Sequence, residues 1–417
     1  MIDYDHYTLD NGLTVVLHHD PDRTVVAVNV LYRVGSRHDP PGRTGMAHLF
    51  EHLMFGGSAH APNFDDILQL AGGDSNAVTG ADTTLYFDTL PADNLDTALW
   101  LESDRMRSPK LGAKSLATQQ RVVVEEFKET CLEPPYGDLF HHLNQLVYPR
   151  SNYRWPVIGE TFADIEAVTV VEARDFFRTY YRPDNAVLCV AGRFDPATIR
   201  QRIAGYFGNI APAAPPQPPP PQPAEPPQEE FRQTTVYGDV PSPLIYLHLR
   251  TVDRLHPDFP VIDVLTYLLG GGRSSLLYRR LVRDTDTFTE ISASINDNLA
   301  AGGIYIDALP SEDTPIDRAR GALYATLDEM IEHGVTPEEL AKVVHQLEHR
   351  NYYRDTSISS RAGELTFYTM LGHPEYVNSD LQRYLDITVE DVNRCARQYL
   401  RREVTSELLY LVESVKV

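Results

Sequence analysis

PAAPPQPPPPQPAEPP, residues 212–227, holds ten of the thirty prolines in this chain of 417 residues. Proline fixes φ and lacks an amide donor, so the stretch reads as an extended polyproline-type spacer, neither helix nor ladder. Its flanks have ordinary globular composition, which favours a connector between domains over a ligand for a proline-binding module. It divides the chain into an N-terminal half, 1–210, a linker, 211–230, and a C-terminal half, 231–417.

Outward from the linker, the two halves read alike. The first opens on strand patterns at Tyr7–Leu9, Thr14–Leu17 and Val25–Val34, where Val26, Val28 and Val30 alternate. Helices are expected near 44–55, 63–71, 92–106 and 114–130, with strands at Thr83–Phe87 and Ala186–Val190. The second half repeats the order: strand Leu244–Leu249, helix 257–269, a Gly270-Gly271-Gly272 turn, helix 275–283, strands 288–295 and 303–308, and helices 314–333 and 336–352. The expected fold class is α+β, two homologous α/β halves in one chain, with antiparallel-rich sheets covered by helices.

Apolar residues make up 42% of the chain, enough for substantial cores, while 37 Lys+Arg against 59 Asp+Glu leave a net charge of −22. Phosphate backbones and anionic membrane surfaces attract clustered cations, so nucleic acid and membrane are set aside as partners. Cys131, Cys189 and Cys395 are too few and too scattered for a disulfide framework and read as buried thiols. The opening Met1-Ile2-Asp3-Tyr4-Asp5-His6 has neither the basic nor the apolar part of a leader. No run approaches the roughly 18 apolar residues of a membrane span. A cytoplasmic location is expected, periplasmic if a leader has been removed.

The chemistry concentrates in Thr44–Phe55, which contains His48-Leu49-Phe50-Glu51-His52. Residues four apart on a helix stack on one face with Cβ atoms about 5–6 Å apart, which suits two imidazoles sharing a tetrahedral metal. Glu51 edges the same face, within reach of a metal-bound water without being a ligand. Met46, Leu49, Phe50 and Leu53 mark the helix as largely buried, where two histidines and a glutamate are costly unless paired or metal-bound. The plainer alternative is a pair of core histidines satisfied by hydrogen bonds. The H-x-x-E-H order is that of the inverted zinc-protease motif, and nitrogen plus carboxylate donors suit zinc, with manganese or cobalt also compatible. His18-His19 and His141-His142 read as surface or loop histidines, and Asp284-Thr285-Asp286 and Glu312-Asp313 as solvated loops.

These residues and several others resemble the pitrilysin / insulinase / mitochondrial-processing-peptidase family of zinc peptidases. The matching passages are Asp10–Val16, Gly35-Ser36-Arg37, Gly45–Gly57, Gly72–Ala77 followed by Asp82–Tyr86, Pro156–Gly159, Tyr181–Ala186 and Leu268–Leu277. They span nearly the whole chain. The resemblance implies a third metal ligand on a later helix, for which Glu125, Glu126 and Glu129 are the candidates and Glu126 the best match to the family's helix. At about 100° per residue, Glu126 also lies nearer than Glu129 to the stripe containing Val123. The implied cofactor is therefore one zinc ion per chain held by His48, His52 and Glu126, with Glu51 as general base. Asn76 and Ala77 correspond to an edge strand that pairs with an extended peptide substrate.

The resemblance also implies a zinc metalloendopeptidase acting on peptides or unfolded segments, with two halves forming half of a clamshell that a dimer closes. Many members carry an Arg and, seven residues on, a Tyr after the Gly-rich turn. Here Val282 and Thr289 stand at those places, and Arg279, Arg280, Arg283 and Phe288 fall at other offsets. That departure favours a heterodimer with a related chain that lacks H-x-x-E-H and supplies the Arg/Tyr pair. A homodimer using Arg279, Arg280 or Arg283 is the alternative. A non-catalytic core subunit of a larger complex is the rival function, and the intact His48/Glu51/His52 triplet speaks against it. An activating partner chain would show the reverse pattern, without the metal motif and with the Arg/Tyr pair.

Overall fold

Two runs of mainly β-branched and small residues, Val25–Tyr32 and Ala186–Gly192, form the buried centre of a six-stranded sheet. The structure, a computed structural model, describes residues 1–212 and 220–413. In chain order the first sheet comprises β1 (Asp5–Thr8), β2 (Thr14–His19), β3 (Val25–Tyr32), β4 (Asp74–Thr79), β5 (Thr84–Pro91) and β6 (Ala186–Gly192). Their spatial order is β1-β2-β6-β3-β5-β4, antiparallel except where β2 meets β6. Val15, Val26, Val28, Val30, Leu188 and Val190 are fully buried, each contributing about 1.5–3 kcal/mol by leaving water.

The second sheet comprises β7 (Arg232–Gly238), β8 (Leu244–Arg250), β9 (Phe288–Asn296), β10 (Gly303–Pro310) and β11 (Thr405–Val412). Its order is β7-β11-β8-β10-β9, with the single parallel pairing between β7 and β11. With β1 removed, the first sheet reads β2-β6-β3-β5-β4, the same path strand for strand. The repeat expected from the sequence is present in the topology, and the fold is mixed α and β with helices packed on two sheets.

The compact units are not contiguous in sequence. Taking described residues only, one unit comprises Met1–Phe127, Trp155–Gln222 and Asn351–Asp380, and the other comprises Lys128–Arg154, Pro223–Arg350 and the residues from Leu381 onward. In the first unit the helix Ile358–Met370 packs on β2, β3 and β6, and Ser359 meets Thr89 of β5 at 3.0 Å. In the second, the helix Leu139–Val147 packs on β7 and β11. Each sheet is thus covered in part by a helix from the other side of the Pro-rich stretch.

Residues 213–219 of that stretch lie outside the described residues. Residues 220–230 are neither helix nor strand, as proline dictates, yet their last part is docked. The Glu225 carboxylate accepts from the amides of Arg150 and Ser151 at 3.0 and 2.8 Å, and buried Gln228 donates to the Thr405 carbonyl at 2.9 Å. None of the described helices is long and apolar enough to cross a membrane.

Candidate metal centre

The helix Met46–Phe55 starts at a junction that only glycine fits. Gly45 has φ +86°, and a Cβ there would lie 2.6 Å from the Ile158 carbonyl oxygen. Buried Asp39 accepts from the amides of Gly45 and Ala47, both at 2.8 Å, supplying partners for donors that a helix start leaves open. Burial holds the Asp39 carboxyl well above the usual carboxylate range, against the pull of those amides. Thr44 Oγ1 donates to Asp164 at 2.6 Å and accepts from the Glu160 amide at 2.7 Å. The Pro156–Gly159 passage therefore ends in a brace for the start of this helix.

Met46, Ala47, Leu49, Phe50, Leu53 and Met54 fill the buried face, leaving His48, Glu51 and His52 on the other. Against that face packs the helix Ala113–Phe127, anchored by buried Leu116, Val123, Val124 and Phe127. It delivers Glu126. The carboxylate spans both imidazoles, with Oε1 3.6 Å from His48 Nε2 and Oε2 3.3 Å from His52 Nε2. The two rings stand edge to face, centroids 4.9 Å apart. Among the described residues this is the group of three such ligands that gathers within 4.8 Å, and it takes in Glu126 rather than Glu125 or Glu129.

The donor set fits a zinc ion. Ligand atoms about 2.0–2.1 Å from a tetrahedral centre are about 3.3–3.4 Å from one another, close to the two measured separations. His48, 12% exposed at its side chain, has its Nδ1 buried with no hydrogen-bond partner. Core histidines satisfied by hydrogen bonds would not leave that atom orphaned. Burial lowers the His48 pKa, favouring the neutral imidazole, and the hydrogen bond from His52 lowers that of Glu126, favouring the carboxylate. Those are the protonation states that metal ligands need.

Glu51, half-buried, accepts a short hydrogen bond from the Thr79 hydroxyl at the end of β4. Thr79 carried no signal in the sequence, because its role depends on β4 lying beside the helix. Asn76 and Ala77 lie on the same strand. β4 is the edge of its sheet, pairing with β5, and the Asn76 side chain accepts from the Ala77 amide at 2.8 Å. The other histidine pairs lie outside this cluster. His18 is buried on β2, not at the surface, with Nδ1 2.6 Å from the Asp3 carbonyl oxygen, and His142 meets Asp138 at 3.1 Å one turn back.

The second half reuses the geometry with inverted chemistry. Counting back from Gly56-Gly57 and from Gly271-Gly272, the places of His48, Glu51 and His52 fall on Asp263, Thr266 and Tyr267. From the facing helix Pro337–Arg354, Arg350 donates to the Tyr267 hydroxyl at 2.5 Å and lies 3.6 Å from Asp263. A cation thus stands where the first half has a carboxylate. Past the Gly-rich turn, Val282 packs against the core and the Thr289 hydroxyl donates to the Leu309 carbonyl at 3.1 Å. Arg279 pairs with Glu339 at 2.7 Å, Arg280 with Glu329, and Arg283 with Asp284 at 2.8 Å.

Residues 14–159 match the family model described as Insulinase (Peptidase family M16), and residues 167–347 match the one described as Peptidase M16 inactive domain. The zinc protease PqqE of Helicobacter pylori is 29% identical over 403 residues, 95% of this chain and 90% of that protein. The uncharacterized zinc protease YmxG of Bacillus subtilis is 24% identical over 415 residues, 97% of each. The crystal structure of a protease from Helicobacter pylori matches with a TM-score of 0.93 at 27% identity, covering 98% of this chain and 100% of that one. With both halves matched by models of one family on a fold that repeats strand for strand, the chain belongs to the M16 peptidase family.

Proposed function

We propose that the chain is a zinc-dependent endopeptidase that hydrolyses peptides or unfolded segments inside a cavity closed by a second chain. The observation that carries this reading is one carboxylate set between two imidazoles at 3.3 and 3.6 Å, with Glu51 on the same helix face. His48, His52 and Glu126 would hold one zinc ion in the N-terminal half, 1–210, while 231–417 is a homologous half without metal. Zinc bound there supplies Lewis-acid polarisation of a carbonyl and lowers the pKa of water. Glu51 takes the proton of the attacking water and carries it to the leaving amine. Thr79 orients the Glu51 carboxylate for that transfer. The open edge of β4 at Asn76 and Ala77 receives the substrate backbone as an added strand, which gives affinity with little dependence on sequence.

Among the described residues after the Gly-rich turn, none of the positions named above is free to meet the developing oxyanion. Val282 and Thr289 cannot serve, and Arg279, Arg280 and Arg283 are each held by a carboxylate. Removal of one transition-state donor commonly costs about 10²–10³ in rate. We therefore assign the Arg/Tyr pair to a partner chain of similar length that lacks the H-x-x-E-H triplet. Metal analysis and peptide hydrolysis test the reading together. About one zinc per chain, lost on His48→Ala or His52→Ala, is expected, with Glu51→Gln keeping the metal while hydrolysis disappears. Stoichiometric metal in the His48→Ala/His52→Ala double variant would overturn it.

A further inference from the structure

Of 96 charged side chains, only 37 are cationic, yet four of those line one open cleft of about 840 Å³ with no acidic residue in its lining. Arg107, Lys110, Lys114 and Arg174 surround it, joined by Ser115 and Gln119. Three of the cations are steadied by backbone carbonyls, which orient a charge without cancelling it. Arg174 donates to Leu111 at 3.0 and 3.2 Å, Arg107 to Tyr206 at 3.1 Å, and Lys110 to Pro62 at 3.5 Å. The acids that flank Arg174 in sequence are already engaged, Glu172 with Arg43 and Asp175 with Arg178. Among the described residues, none of the four cations pairs with a carboxylate. In so acidic a chain, four cations without a carboxylate partner make this cleft attractive to negative charge.

The cleft and the metal cluster share two helices. Ser115, Gln119, Val122 and Glu126 follow one another at spacings of four, three and four, which puts them on one stripe of the helix Ala113–Phe127. Gly56, one turn after His52, reaches the cleft from the helix Met46–Phe55. Val122 between them is 45% exposed, so the stripe is open to solvent from the cleft to Glu126. Twelve residues of helix from Lys114, the cation of the cleft on this helix, to Glu126 span about 18 Å. An extended peptide covers that distance in about five or six residues.

We propose that this cleft is an exosite for acidic side chains of the peptide substrate, receiving a carboxylate about five or six residues from the bond held at the metal cluster. The inference rests on the peptidase reading for its substrate, but its test reads binding. In the Glu51→Gln chain, with and without added zinc, fluorescence anisotropy compares two labelled decapeptides that differ by Asp or Asn at three positions. The Asp peptide is expected to bind about tenfold more tightly, with a preference that weakens as salt rises. Lys110→Glu/Lys114→Glu is expected to abolish that preference, and Arg174→Ala to reduce it; matching thermal melts establish that the folds are intact. The charge-reversed chain should in turn favour a Lys decapeptide. An Asp preference that survives charge reversal, or no preference in the parent chain, overturns the proposal. So does tight binding of pyrophosphate without any preference for Asp, which would make the cleft a phosphate site. Hydrolysis by the Glu51 chain is measured separately, and its absence beside an intact Asp preference would sink the peptidase reading while leaving the exosite standing.

Discussion

His48 and His52 could be read from the sequence because everything that relates them is local, four residues on one helix. Glu126 could not be fixed that way. Its helix is set against theirs by buried side chains far apart in sequence, so the residues alone favour Glu126 but keep Glu125 and Glu129 as candidates. The distinction is measurable. Glu126→Gln should cut zinc affinity by much more than the 10–100-fold typical of supporting groups, whereas Glu129→Gln should leave it nearly unchanged by competitive chelator titration. Thr79 offers a second test at this scale. Thr79→Val removes the hydroxyl that Glu51 accepts from, so kcat should fall about tenfold or more with zinc content and KM unchanged, and the acid limb of the pH–rate profile should move. An unaltered profile would remove Thr79 from the positioning of the base.

At the scale of elements, sequence patterning found β1, β2, β3, β5 and β6 of the first sheet and β8, β9 and β10 of the second, most plainly β3 and β6, which are buried on both faces. It missed β7 and β11. The first alternates half-buried with exposed residues, including Thr234 and Thr235, and the second carries buried Ser406 and Glu407 amid its apolar residues. Glu407 is tolerable there because Arg320 and Tyr324 both donate to its carboxylate. The helix Leu95–Arg107 hides a similar case, with Glu102, Asp104 and Arg105 buried where patterning would put charge in water. The start of the metal helix, by contrast, is explained by one residue. Gly45→Ala forces a side chain into a left-handed conformation and against the Ile158 carbonyl, so unfolding free energy should fall by about 2–4 kcal/mol in denaturant titration, with zinc affinity falling alongside. Gly42→Ala, also at positive φ but with open space around its Cβ, should cost only about 1–2 kcal/mol and leave the metal untouched.

For the whole molecule, the balance of stability should tilt on acidification. Burial lowers the pKa of His248, fully enclosed with neither ring nitrogen hydrogen-bonded, to about 3, and that of His38 to about 4. Both sit below the unfolded value of about 6.5, so the unfolded chain binds more protons as pH drops under that value. The stability these neutral rings contribute is complete above about pH 6.5 and is lost progressively toward their folded values, about 2 kcal/mol each by pH 5. Melting temperatures at pH 7.5 and pH 5 should therefore diverge, and His248→Phe should narrow the gap. An unchanged gap would mean that other groups govern the acid limb.

The exchange of the helices Leu139–Val147 and Ile358–Met370 was invisible to a reading that cut the chain at its prolines, because which sheet a helix covers is decided by packing across two hundred residues. It has a practical outcome for anyone who severs the polypeptide. A protease that nicks the Pro-rich stretch leaves two fragments, each still carrying a piece of the other's compact unit. Neither fragment should survive alone as a folded module. Produced together from separate genes, they should find each other, complement, and co-elute as one particle, so that backbone continuity through the prolines matters for assembly speed more than for the assembled state.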